Sequence, residues 1–208
     1  MKGDKKVLTV LNELLADELT AISQYMVHSE MCDNWGYEKL HKAIEGQAVD
    51  EMHHAEWLIQ RILFLEGAPT VSKLHPIRIA KDVPAIIGTD QEDEVGAIKA
   101  YNAGVRVARE AADQSTVDLL TKILKMEEGH VDWAEAQRDQ IAQMGLPNYL
   151  ANQVASAQRP AGRVAAARPD PAVSTRRGSP SKVRPLDARA AGRPGTDGRR
   201  RGLSDPGW

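Results

Sequence analysis

Apolar residues recur along the first part of the chain at three- and four-residue steps. Val7, Leu11, Leu14, Leu15, Ile22 and Tyr25 fall on one stripe, the period of a helix with a single buried face. Asp4 stands where an N-cap is wanted, so the pattern predicts a first helix over about 5–31. The run "DNWG" ends it. Leu40, Ile44, Ala48, Ala55, Leu58 and Ile62 form a second stripe and predict a helix over about 37–65, closed by Gly67 and Pro69. Residues 67–82 carry Pro69, Pro76 and no stripe, a connection long enough to run the length of a bundle. Pro84 suits the first turn of a third helix that reaches about 112. After a short turn, "DQS" at 113–115, a fourth helix runs to about 144, where Gly145 and Pro147 stop it. A short fifth helix is weakly signalled at 147–153.

No segment alternates with the period of a strand. Helices of this length span roughly 40 Å. Two tight hairpins joined by one long crossover predict an all-α fold, a four-helix bundle with ferritin-like connectivity.

Four carboxylates interrupt the apolar stripes. Glu18 lies on the first; Glu51 on the second; Glu94 on the third, with Ala97, Ile98, Tyr101 and Val105; and Glu127 on the fourth, among Leu120, Ile123, Leu124, Trp133, Ala134 and Ile141. Two of the four open a Glu-x-x-His motif, Glu51 with His54 and Glu127 with His130. Residues three apart share a helix face, so each imidazole points with its carboxylate toward the core. Buried carboxylates without partners are costly and call for metals, counter-ions or protons. Two histidines cannot balance four such groups.

The spacing adds to this. Glu18 and Glu51 are 33 residues apart, and so are Glu94 and Glu127. The hairpins are therefore equivalent halves, with ligands at equivalent heights about a pseudo-two-fold axis. One Glu from each of two helices and Glu-x-x-His from each of the others is the ligand pattern of dinuclear carboxylate bundles. Oxygen and imidazole donors in this ratio suit iron or manganese better than thiolate-loving metals. Glu51 and Glu127 are the natural bridging carboxylates of a di-iron centre. Glu18 with His54, and Glu94 with His130, are its terminal ligands.

These residues, with the stretches "MKGDKKVLTVLNELLADELTAISQY", "ILFLEG", "EEGHVDW" and "MGLPNYL", resemble the bacterioferritins over residues 1–153. The resemblance implies a ferroxidase and iron-storage subunit that oxidises Fe(II) with O2 or hydrogen peroxide. It implies a homo-oligomeric closed shell of about 24 subunits, with haem b at two-fold interfaces. A small ferredoxin is the reductant it implies for iron release. It makes Met52 the haem axial ligand, one from each of two subunits. Helix geometry is compatible with that role, because Met52 lies about 100° around the helix from Glu51 and so leaves the bundle interior. Ordinary interface packing is the other reading of that methionine. The resemblance also makes Tyr25, seven residues after Glu18, an electron donor hydrogen-bonded to a ligand carboxylate; an inert core tyrosine is the alternative. Some members of the family carry a histidine on the inner face of the second helix as part of an extra iron site. Here that position is Gly46, although Asp50 remains.

Other polar residues carry less. Asp90, four before Glu94, reads either as a group behind the ligands or on the access path, or as a solvated helix end. Glu92 and Asp93 fall off the inward stripe and read as solvated. His28, His41, His53 and His75 lack comparable carboxylate partners on their helices and read as surface residues. Trp35 and Trp133 read as packing.

The net charge of -2 hides a division. Residues 154–208 hold eleven Arg and one Lys against four Asp, a net of +8, which leaves -10 for residues 1–153. The acidic part suits attraction of cations. The basic part, rich in Arg, Pro, Ala and Gly without periodicity, predicts a disordered tail. Its composition is that of out-of-frame or read-through text, with phosphate contacts to nucleic acid as the other reading. One cysteine, Cys32, an N-terminus that turns polar at Asn12 and the absence of any apolar run of about eighteen residues predict a cytoplasmic protein without a membrane span. Two competing functions stay open, a rubrerythrin-like di-iron peroxidase and a non-catalytic haem-binding shell subunit. The absence of a C-x-x-C pair counts against the first, and retention of all six ligands against the second.

Overall fold

The computed structural model describes residues 1–155. The predicted tail falls almost wholly on residues 156–208, outside the described residues. The described part is built from α1 (Lys5–Asn34), α2 (Glu38–Phe64), α3 (Val83–Glu110), α4 (Gln114–Met144) and a short α5 (Leu146–Gln153). No strand occurs among the described residues. None of the described helices is long and apolar enough to cross a membrane. The α1–α2 and α3–α4 hairpins pack side by side, with the 67–82 connection crossing between them.

Aspartates start three of the long helices. Asp4 accepts the Lys6 backbone N–H at 2.7 Å, Asp82 that of Ala85 at 2.9 Å, and Asp113 that of Thr116 at 3.1 Å, filling donors the first turn leaves free. The first helix runs on through Asn34, because nothing in "DN" forbids it until Gly36 takes a left-handed φ of 85°. The fourth helix begins at Gln114, since the Asp113 of the predicted turn serves as its cap.

The crossover is pinned along α1. Backbone N–H groups of Thr70, His75, Arg78 and Ala80 donate to the side chains of Asn12 (2.7 Å), Thr20 (2.9 Å), Gln24 (2.9 Å) and His28 (3.0 Å). Those four side chains stand four or eight residues apart, one face of a helix. His28 is therefore no surface residue. It is fully buried, and its Nδ1 lies 2.9 Å from Asp90 on α3. Its carboxylate comes from across the bundle and not from its own helix, so helical spacing does not reveal it.

Two apolar clusters fill the interior. One gathers Val7, Leu11, Leu58, Ile62, Leu120 and Ile123; the other gathers Cys32, Leu40, Ile44, Ile86, Ile87 and Tyr149. Each fully buried aliphatic side chain contributes about 1.5–3 kcal/mol relative to exposure. On every long helix the first cluster lies on one side of the Glu positions and the second on the other. A polar layer is thus clamped between two dry ones.

Candidate metal centre

All six residues of the sequence-derived constellation meet in that layer. Glu18, Glu51, His54, Glu94 and Glu127 are nearly inaccessible, and His130 is 8% exposed. They form two groups that could hold a metal ion, Glu18–Glu51–His54–Glu127 and Glu51–Glu94–Glu127–His130, the ligand atoms in each lying within 4.8 Å of one another. Glu51 and Glu127 belong to both groups.

Each imidazole turns its Nδ1 toward the carboxylates. His54 Nδ1 is 2.8 Å from Glu51 and 3.1 Å from Glu127, while His130 Nδ1 is 3.1 Å from Glu51 and 3.4 Å from Glu94. Even so, Glu51 Oε1, both carboxylate oxygens of Glu127 and His130 Nδ1 have no hydrogen-bond partner. Buried polar atoms are seldom left this way, so four in one cavity point to a missing ligand. Oxygen-rich sets with one imidazole each fit iron or manganese.

The charges adjust to the crowding. Burial works to raise Glu51, but the neighbouring imidazoles of His130 and His54 outweigh it and hold the carboxyl at about 2. Burial likewise opposes the charged form of His54, yet Glu127, Glu18 and Glu51 together lift it to about 11. His130 moves up for the same reason, with Glu127, Glu51 and Glu94 around it. Glu18 and Glu94 go the other way, raised well above the usual carboxylate range by burial first and by neighbouring Glu51 and Glu127. Glu127 is lowered, its burial outweighed by His130 and His54. The inner pair, Glu51 and Glu127, is thus held toward the carboxylate form opposite two imidazoles held toward the imidazolium form, while the outer pair, Glu18 and Glu94, is pushed toward the protonated form.

Tyr25 reaches this layer and donates to Glu94 at 2.5 Å. Sequence reasoning missed its counterpart. Tyr101 donates to Glu18, so each tyrosine of one hairpin holds the outer glutamate of the other. The signal was present, because Tyr101 follows Glu94 by the same seven residues that separate Tyr25 from Glu18; it looked like another core position on an apolar stripe. Asp90 is buried, 4% exposed, and accepts from Gln24 Nε2 at 3.0 Å besides facing His28. It is not a solvated helix end, and its partners, Gln24 and His28, are not among the six candidate ligands. Glu92 is exposed, whereas Asp93 is half-buried and accepts from Gln24 at 2.7 Å; Arg78 of the crossover bonds both. Met52 lies outside the bundle at 48% exposure, on one face with exposed Val49. Gly46 offers no side chain, and nothing lies within 4 Å of where one would stand. His53 is exposed and His75 partly so, as expected; His41 is half-buried against Ser29 at 2.8 Å. Trp133 is half-buried against the second apolar cluster, while Trp35 is 36% exposed and meets Tyr37 edge-on.

A cavity of about 310 Å³ leads from the outer surface beneath the crossover to this layer. Asp17, His75 and Asp93 stand among its walls together with Glu18, Glu51 and Glu127. His75 pairs with Asp17 at 3.1 Å.

A ferritin-like domain matches residues 8–144. The chain is 43% identical over 155 residues to the bacterial ferritin of Synechocystis sp., covering 99% of that protein with 74% of its own length. It is 41% identical over 157 residues to the bacterial ferritin of Paramagnetospirillum magnetotacticum, covering 93% of it with 72% of its own length. The bacterioferritin of Streptomyces coelicolor is 38% identical over 158 residues, 95% of that protein and 76% of this chain.

Proposed function

Because the chain belongs to the bacterioferritins of the ferritin-like family, we propose that it is an iron-storage subunit that oxidises Fe(II) at the six-residue centre. The observation that carries this reading is the shared pair, Glu51 and Glu127, common to both ligand groups and short of hydrogen-bond donors. Iron is the substrate here. One Fe(II) takes Glu18 and His54, a second takes Glu94 and His130, and Glu51 and Glu127 bridge them. To bind, each ion displaces the Nδ1 proton of its imidazole. Four carboxylates balance two divalent ions, so the loaded cavity carries no uncompensated charge.

Oxidation removes one electron from each iron. With hydrogen peroxide as oxidant, two electrons and two protons break the O–O bond and yield two waters; with O2 they yield hydrogen peroxide. The carboxylates favour Fe(III) over Fe(II) by charge, and the two hairpins hold both ions at a fixed separation. Tyr25, hydrogen-bonded to Glu94, would be the donor of any further electron the oxidant takes. The cavity beneath the crossover, with Asp17 and Asp93 in its walls, offers the cation a way in.

A single bundle holds no mineral, so storage requires a closed homo-oligomeric shell. Met52 is the residue that would hold haem b. Its half-exposed thioether, beside exposed Val49, would be free to hold such a group where two subunits meet. Haem would supply an electron path toward a reductant.

Mixing the metal-free protein with Fe(II), then with O2 or peroxide, tests the reading by the growth of Fe(III) absorbance. Fast oxidation that is lost in a Glu51→Ala, Glu127→Ala double variant supports it. Equal rates in the two proteins would remove the ferroxidase and leave a haem-binding shell subunit as the better account.

A further inference from the structure

The pseudo-two-fold relation maps residue n of the first hairpin onto residue n + 76 of the second, since Glu18, Glu51 and His54 become Glu94, Glu127 and His130. Applied one residue before each bridging glutamate, it pairs Asp50 with Met126. Both side chains reach the centre's outer edge. His130 Nε2 lies 3.4 Å from Asp50 Oδ2, and His54 Nε2 lies 3.4 Å from the Met126 sulfur. The equivalent positions therefore offer the two imidazoles very different neighbours.

The consequence follows from the tautomer. Nδ1 of each ring faces the carboxylates, so a ring that gives Nδ1 to a metal must carry its proton on Nε2. That N–H needs an acceptor. A carboxylate is a strong one and draws the proton outward, which makes the ring a better donor to metal; a thioether is a weak one. A second charge acts in the same sense. Lys122 Nζ sits 3.3 Å from the Trp57 ring centre, and Trp57 lies against His54 at 5.8 Å. The His54 half thus has an ammonium behind it and the His130 half a carboxylate.

We propose that the two halves bind divalent metal unequally, the Glu94–His130 half filling first, and that Asp50 is the positioning residue that sets this order. The proposal rests on the dinuclear reading above. It concerns what distinguishes the two positions, which the shared ligand types alone do not.

The test uses Co(II), which reports coordination by its visible absorption and is not consumed by oxygen. The full-length, metal-free protein is titrated anaerobically by absorption and by calorimetry. Two resolved steps are expected. Glu18→Ala should keep the tighter step, and Glu94→Ala should abolish it. Asp50→Asn should weaken the tighter step by about 10–100-fold and leave the other alone, while Asp50→Glu, which keeps a carboxylate, should stay near the parent. Met126→Asp should tighten the weaker step until the two merge; Met126→Leu, similar in volume and without an acceptor, should change neither. Two equal steps in the parent, or an Asp50→Asn variant with both constants unchanged, would overturn the inequality and leave the dinuclear centre standing. Failure to bind any Co(II) would overturn both.

Discussion

At the scale of single residues, the proposed centre is governed by protons that a bound metal would have to displace. His54 is held at about 11, and Glu18 and Glu94 are raised well above their ordinary value by burial. His54 carries its proton at neutral pH and Glu18 and Glu94 hold theirs more tightly than free carboxyls do, so affinity for Co(II) or Zn(II) should climb with pH. Between pH 6 and 8 the rise should exceed about tenfold, measured by competition with a chelator. The same shifts fix the stability of the empty protein. A raised His54 contributes stability that is present in full below its unfolded value of 6.5 and is lost as pH rises through about 11. Glu18 and Glu94 act in the same direction, since their stability is present below 4.5 and lost as pH rises through the folded values. Glu51 opposes this only in acid, where its contribution, present above 4.5, is lost as pH falls through about 2. Melting curves of the metal-free protein should therefore fall toward alkaline pH while those of the metal-loaded protein do not. Tyr101→Phe should cost about 1–2 kcal/mol in chemical denaturation, close to Tyr25→Phe, because the two hydroxyls do the same job for opposite glutamates. The convergence of the six residues could be read from one sequence because helical spacing fixes the face each takes within its helix. Tyr101, His28 and Asp90 could not, because what defines them is a partner on another element.

At the scale of elements, the two hairpins repeat each other down to their turns. Chain ends of helices at Asn34 and Glu110 and starts at Glu38 and Gln114 differ by the same 76 residues. The left-handed residue of the first turn is Gly36, φ 85°, and its equivalent in the second is Ala112, φ 53°. An L-residue pays a steric penalty there that glycine does not. Ala112→Gly should raise stability by about 0.5–1 kcal/mol, and an unchanged or lower denaturation midpoint would contradict this. Next to it, Asp113 caps α4 through Thr116 and meets Arg61 at 2.5 Å. Burial tends to raise its carboxyl, but the bonds from Thr116 and Arg61 hold it below 3.8. Asp113→Ala should destabilise by about 1–2 kcal/mol near neutrality. The deficit should shrink in acid, because the stability is present above 3.8 and lost as pH falls through the lowered value. Helix number, order and approximate ends were legible from periodicity and from Gly and Pro. The extra turn to Asn34 was not, since Asp and Asn are compatible with either a helix end or its last turn.

At the scale of the whole molecule, a polar layer clamped between two apolar clusters should gain stability from any ligand that binds the folded state alone. Divalent metal at a hundredfold excess over its dissociation constant should add about 2.7 kcal/mol, a rise in melting temperature of roughly 5–10 °C. Residues 156–208 follow α5 in the chain, and 74% of the chain already covers the Synechocystis relative almost end to end. Their removal should leave that rise and the metal stoichiometry unchanged; a loss of either would give the basic segment a role. The bundle and its crossover could be read because length, spacing and Pro positions constrain connectivity. The pinning of the crossover by Asn12, Thr20, Gln24 and His28 could not, since it depends on which face α1 turns outward. The central claim is a pair of irons bridged by Glu51 and Glu127, and diffraction at the iron absorption edge from crystals loaded anaerobically with Fe(II) tests it most directly. Two anomalous peaks per chain, one beside Glu18 and His54 and one beside Glu94 and His130, with both bridging glutamates between them, is the predicted result. An empty polar layer, or iron bound only elsewhere, would contradict the account.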